Sequence, residues 1–99
     1  MQARYPAAFD REMGCTEAEW LRWLPGAVGG RAVDLRAGAA RVAINGGALD
    51  LSWQQLAPRR IALMAMPVLA VKFRFSDIAD AERQTFMRYF DLYTQRGGG

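Results

Sequence analysis

The sequence predicts an α+β fold: a two-layer sandwich with a mostly antiparallel sheet of four to five strands. An N-terminal-region helix and a C-terminal helix cover one face of that sheet. Three observations predict it. The capping signature Thr16-Glu17-Ala18-Glu19 opens an apolar stretch with helical spacing. Between Val33 and Phe75 apolar residues recur at every second position. From Asp80 onward the spacing returns to that of a helix.

The elements follow in order. Residues 3–14 fit a short edge strand or a single helical turn, with Tyr5 and Phe9 on one side and Pro6 weakening both readings. Gly14-Cys15 is a turn. Thr16 accepts from the backbone of Glu19 while the Glu19 carboxylate returns to Thr16, a capping box that starts a helix. Trp20, Trp23 and Leu24 share one face of it, and Pro25 disfavours helical geometry at Leu24, so the main helix is expected to end there, with room for a further turn before Gly29-Gly30. Val33 and Leu35, then Ala40, Val42 and Ile44, alternate with polar or small residues as strands. Asn45-Gly46-Gly47 supplies the turn residues of a tight hairpin. Leu49, Leu51 and Trp53 continue the alternation, Pro58 closes that strand, and Ile61 and Leu63 resume the inward pattern. Met66-Pro67 either forms the turn before a last strand or bends one long strand, and the turn is favoured because proline lacks a ladder donor; Leu69, Val71, Phe73 and Phe75 then point inward. Asp80 is the expected N-cap of the final helix, with Phe86, Phe90 and Tyr93 on its buried stripe and Gly97 ending it.

Both helices on one side leave the other side of the sheet outside. The core is then expected to hold Trp20, Leu24, Val42, Ile44, Leu51, Trp53, Leu63, Val71, Phe73, Phe86 and Phe90. With 99 residues, no repeat and no linker, residues 1–99 form a single domain, with 97–99 as a flexible tail.

Composition narrows the chemistry. There is no histidine, so the side chain best suited to proton transfer near neutral pH is missing. Cys15 is the only cysteine, which leaves no intrachain disulfide and no zinc ligand set. Cys15 precedes a helix N-terminus, where a thiolate is stabilised, but no histidine base exists to activate it, and a packed thiol is the favoured reading. The acids Asp10, Glu12, Glu17 and Glu19, like Asp77, Asp80 and Glu82, cluster at helix starts, where the helix dipole suffices to explain them. The glycine pairs precede strands and not helices, so no phosphate loop is present. No catalytic set emerges, and no cofactor or metal is implied. The chain shows no signal-peptide h-region and no apolar run of membrane-spanning length. A reduced, cytoplasmic setting without membrane attachment is expected.

Net charge is +3, unevenly spread: Arg31 to Phe75 holds seven basic residues against two acids. Alternation puts Arg41, Arg60, Lys72 and Arg74 on the open face, together with Met64 and Val68. An apolar cluster ringed by arginine suits a protein contact, with another protein or with a second copy, and these six residues are the candidate partner-binding set. The same basic face suggests weak nucleic-acid binding as an alternative. RNA platforms, however, need outward aromatic rings, and Trp53, Phe73 and Phe75 point inward. A second alternative is a carrier protein activated at its C-terminal glycines, since Gly97, Gly98 and Gly99 follow Arg96 as a thin tail. The helical stretch leading into those glycines is unlike the strand that precedes a carrier tail.

The segments LDLSWQQLAPRRIALMAMPVLAVKFRF, FMRYFDLYTQRGGG and MGCTEAEWLRWLP resemble a family of short bacterial proteins of uncharacterised function. The resemblance spans most of the chain. It implies a bacterial, cytosolic origin and transfers no activity, ligand or catalytic residue.

Overall fold

The computed structural model describes residues 4–97. Strand β1 is Ala8–Met13, helix α1 Glu17–Ala27, and strands β2, β3, β4 and β5 are Val33–Arg36, Ala39–Ile44, Gly47–Ile61 and Met64–Ser76. Helix α2, Asp80–Gly97, completes the order. The strands form one sheet in the order β1-β5-β4-β3-β2, with every neighbouring pair antiparallel. The expected α+β architecture is present, and residues 8–13 resolve as an edge strand.

Both helices pack on the same face. Trp20 of α1 meets Trp53 of β4 at 5.5 Å between ring centroids and Phe90 of α2 at 5.9 Å. Phe90 in turn stands edge-on to Phe73 of β5. These rings, with Val42, Ile44, Leu49, Leu51 and Val71, make one continuous core. Each fully buried large apolar side chain contributes about 1.5–3 kcal/mol, so the two-helix layer is what stabilises the sheet.

Thr16 caps α1 as expected: Glu19 N–H donates to Thr16 Oγ1 at 3.2 Å and Thr16 N–H donates to Glu19 Oε1 at 2.9 Å. The helix does not stop at Leu24 but takes the further turn before Gly29-Gly30. It continues to Ala27 with Pro25 inside, and the Val28 N–H closes the last turn on Leu24 O at 3.1 Å. At the other end, Gly97 is the last residue of α2 and not the residue beyond it. Gly98 and Gly99, the rest of the expected tail, lie outside the described residues.

The largest departure is in the β4–β5 pair. Pro58 does not close β4, and Met66-Pro67 is not a turn. Both prolines lie within long strands, and the turn is Ala62-Leu63, between the paired residues Ile61 and Met64. The physical reason is a β-bulge. Leu56 pairs with Val68 and Arg59 with Met66, so Ala57 and Pro58 together oppose Pro67 alone. Neither proline is asked for the ladder bond it cannot make. The strands therefore run on as a two-stranded arm beyond the helices.

Candidate interaction surface

The bulge decides which way the arm's side chains point. One extra residue in β4 inverts the alternation beyond Leu56. Arg59 and Ile61 thereby join Met64 and Met66 on the side of the open face, while Arg60, in register with Ala65, turns to the helix side. Arg60 was expected on the open face; the inversion removes it. Leu63, expected in the core, is fully exposed at the tip (103 %), and Ile61 (57 %), Met64 (66 %) and Met66 (44 %) are exposed beside it.

Val68 does lie on the open side, paired with Leu56, yet it is only 7 % exposed. Arg59 of β4 and Glu12 of β1 form an ion pair at 2.9 Å across the intervening strand β5. Arg59 is in register with Met66 and Glu12 with Ala70, so their bridge passes over Val68. Val68 is thus a covered residue and not part of an accessible contact surface. Of the apolar pair singled out in the sequence, only Met64 is available.

Arg41, Lys72 and Arg74 are where alternation put them, exposed on the open face. The face is not a basic field. Arg41 is bound to Asp50 at 2.9 Å, Arg74 to Asp10 at 2.8 Å and Arg36 to Asp34 at 3.1 Å. Among the described residues Lys72 and Arg60 are the members of the candidate set, cations both, without an ion-pair partner. Between the charged side chains lies a shallow trough of about 400 Å³ floored by Ala39 and Ser52.

Several polar ties elsewhere escaped the sequence reading because they join residues far apart in the chain. Gln84, 5 % exposed, donates to Tyr5 O at 2.7 Å and accepts from Tyr5 N–H at 2.8 Å, gripping that backbone on both sides. Tyr5 Oη donates to Asp91 at 2.5 Å, and Arg11 donates to the same carboxylate at 2.7 Å. Burial, then the Asp91 carboxylate, pushes the Tyr5 phenol up to about 12. Gln55 accepts from the Glu17 N–H at 2.6 Å and donates to Val68 O at 3.0 Å, fastening the start of α1 to β5. Trp53 donates its indole N–H to Glu17 at 2.8 Å, whereas those of Trp20 and Trp23 meet no acceptor among the described residues.

Cys15 is 1 % exposed, and burial followed by the nearby Glu19 charge pushes its thiol up to about 11. Near neutral pH it is a protonated, packed side chain. Among the described residues no cluster of three or more Cys, Asp or Glu side chains is placed to hold a metal ion. No described helix is long and apolar enough to cross a membrane. No family model, curated protein or solved structure matches this chain.

Proposed function

We propose that this chain is a non-catalytic interaction domain whose contact element is the β4–β5 arm, continuous with the open face of the sheet. The observation that carries this reading is the exposure of Ile61, Leu63, Met64 and Met66 together on one short hairpin. A two-stranded ribbon with no covering layer is marginally stable in water. Large apolar side chains gathered on one exceed the scattered exposure of an ordinary surface and mark a protein contact. A single buried thiol is compatible with the reduced, cytoplasmic setting inferred from the sequence.

The nucleic-acid alternative draws on Arg41, Arg60, Lys72 and Arg74. Two of these already face carboxylates, and Arg60 points the other way, so the counterion release that drives such binding has little to draw on. The carrier alternative depends on Gly97, Gly98 and Gly99 as a thin tail, and Gly97 belongs to helix α2 instead.

Photoreactive side chains in place of Leu63 and, as a control, of exposed Thr85 on α2 test the proposal in living host cells. A discrete protein adduct from position 63 and none from position 85 is the expected result. Equal or absent labelling at position 63 removes the arm as the contact element.

A further inference from the structure

The geometry points to a second copy of this chain as the arm's partner, docked on the open face about a two-fold axis parallel to the strands between β3 and β4. This rests on the reading of the arm as a contact element and adds the partner's identity and register.

Its basis is a row of four charges. Register pairs Asp34 with Arg41, Arg41 with Asp50, and Asp50 with Arg74. Strands β2, β3, β4 and β5 therefore present negative, positive, negative and positive groups side by side, about 4.8 Å apart. Their side chains are 62 %, 59 %, 46 % and 46 % exposed. An alternating row of even length is complementary to itself when turned over about its midpoint, which falls between β3 and β4. Arg41 then faces the second copy's Asp50, and Asp34 faces its Arg74, each contact occurring twice by symmetry. An axis placed on β4 would instead set Asp50 against Asp50 and Arg41 against Arg74. The charges thus discriminate between registers that differ by one strand spacing, which is where electrostatic complementarity is most effective.

The neighbouring row is compatible with that axis. Ala39 and Ser52, paired in the sheet, face each other across it, and both are small. Arg36 and Lys72 also come opposite, a like-charge contact moderated by Asp34, which holds Arg36.

The arm supplies the apolar part. Beyond the end of β3 the axis continues alongside β4, so the arms of the two copies lie next to each other. Ile61 is on the open side of β4, nearest the axis, and meets Ile61 of the second copy, with Met64 and Met66 behind. Arg59 is drawn away from the axis by Glu12, so the two cations do not collide. The four strands β2 to β5 that overlap in this register make a face about 15–20 Å wide. With the arm added, the contact approaches the roughly 800 Å² per partner of a stable interface.

Sedimentation equilibrium on the purified chain and on two variants tests this. The wild type should sediment at twice its 11.0 kDa chain mass. Arg41→Glu and Asp50→Arg each put like charges together at both symmetric contacts and should weaken self-association by at least about tenfold. Mixed in equal amounts, the two variants should recover it, because in the mixed dimer both contacts are again opposite in sign. If the Arg41–Asp50 pair acts only within one chain, mixing changes nothing. Circular dichroism checks that each variant is folded, and Asp34→Arg with Arg74→Glu makes the same test if either is not. A wild type that stays at 11.0 kDa at the highest attainable concentration overturns the proposal, as does a mixture that associates no better than its components. A monomeric wild type whose position 63 still yields an adduct with another protein overturns the dimer alone and leaves the arm reading standing.

Discussion

Pro58 and Pro67 occupy the same interruption of the β4–β5 ladder, one from each strand. Each lacks the backbone N–H that a regular antiparallel pairing would use, and the bulge of Ala57 and Pro58 against Pro67 removes that demand. Because the interruption is local, pairing resumes at Arg59 and Met66 and carries the arm out to Leu63. The same extra residue sends Ile61 to the side of Met64 and Met66, which gathers the exposed apolar side chains on one surface.

That geometry separates Met64 from Val68. At concentrations too low for self-association, Met64→Glu should leave stability within about 0.5 kcal/mol of the wild type, since in the single chain the side chain is already in water. Val68→Glu places a carboxylate under the Arg59–Glu12 bridge and should cost about 3 kcal/mol or more. Urea denaturation of the two variants decides the point, and equal losses would contradict the burial of Val68.

The arm's turn also carries strain. Ala62 has φ +55°, a region that costs an L-residue about 1–2 kcal/mol. Glycine adopts it freely but loses more entropy on folding, about 0.5–1 kcal/mol. Ala62→Gly should therefore stabilise the protein by about 0.5–1 kcal/mol, seen as a higher urea midpoint at unchanged slope.

What the sequence disclosed and what it withheld divide along physical lines. The capping box at Thr16, the alternation from Ala40 to Trp53 and from Leu69 to Phe75, and the aromatic stripe of α2 are local signals, and the structure contains each. Ten of the eleven expected core residues are buried; Leu63 is the exception. Its place depends on two prolines in different strands, a relationship that no single stretch of sequence displays. Pro58 and Pro67 each argue for a break, and only their pairing across the sheet permits continuation. The same bulge moved Arg60 off the open face. Val68 kept its predicted side but not its exposure, because its cover comes from Arg59 and Glu12 on the two flanking strands. Gln55 reaches Glu17, Gln84 reaches Tyr5 and Asp91 reaches Tyr5, each 38 or more residues away and beyond the reach of any local pattern.

Gly26 shows a close approach of the same long-range kind. A Cβ at this position in α1 would collide with the hydroxyl end of the Tyr93 side chain of α2. Helix propensity alone favours Gly→Ala by about 1 kcal/mol. Gly26→Ala should nevertheless be destabilising, because it displaces Tyr93 from the helix–helix contact. A thermal melt with a raised midpoint would show that the ring yields without cost.

Burial of Cys15 predicts its reactivity. A thiol pushed up to about 11 and shielded from solvent should be nearly inert to an aromatic disulfide reagent at pH 8. In strong guanidinium it should react at once and in full. Rapid labelling of the native protein would contradict its placement in the core.

The Tyr5 phenol gives the fold a specific alkaline limit. Its ordinary value of 10.0 rises to about 12 in the folded chain, through burial first and the Asp91 hydrogen bond second. Between these values the folded protein keeps a proton that the unfolded chain has released. Stability from this group is therefore complete below pH 10 and falls as pH rises toward 12. Two pKa units correspond to about 2–3 kcal/mol over that window. Tyr5→Phe removes the titrating group while Arg11 continues to hold Asp91, so the variant should lose its deficit against the wild type as the pH is raised. Urea midpoints of both proteins at pH 8, 10 and 11.5 measure the difference directly. A wild-type advantage that stays constant across that range would show that the phenol keeps its ordinary value and that the contact with Asp91 is not maintained in solution.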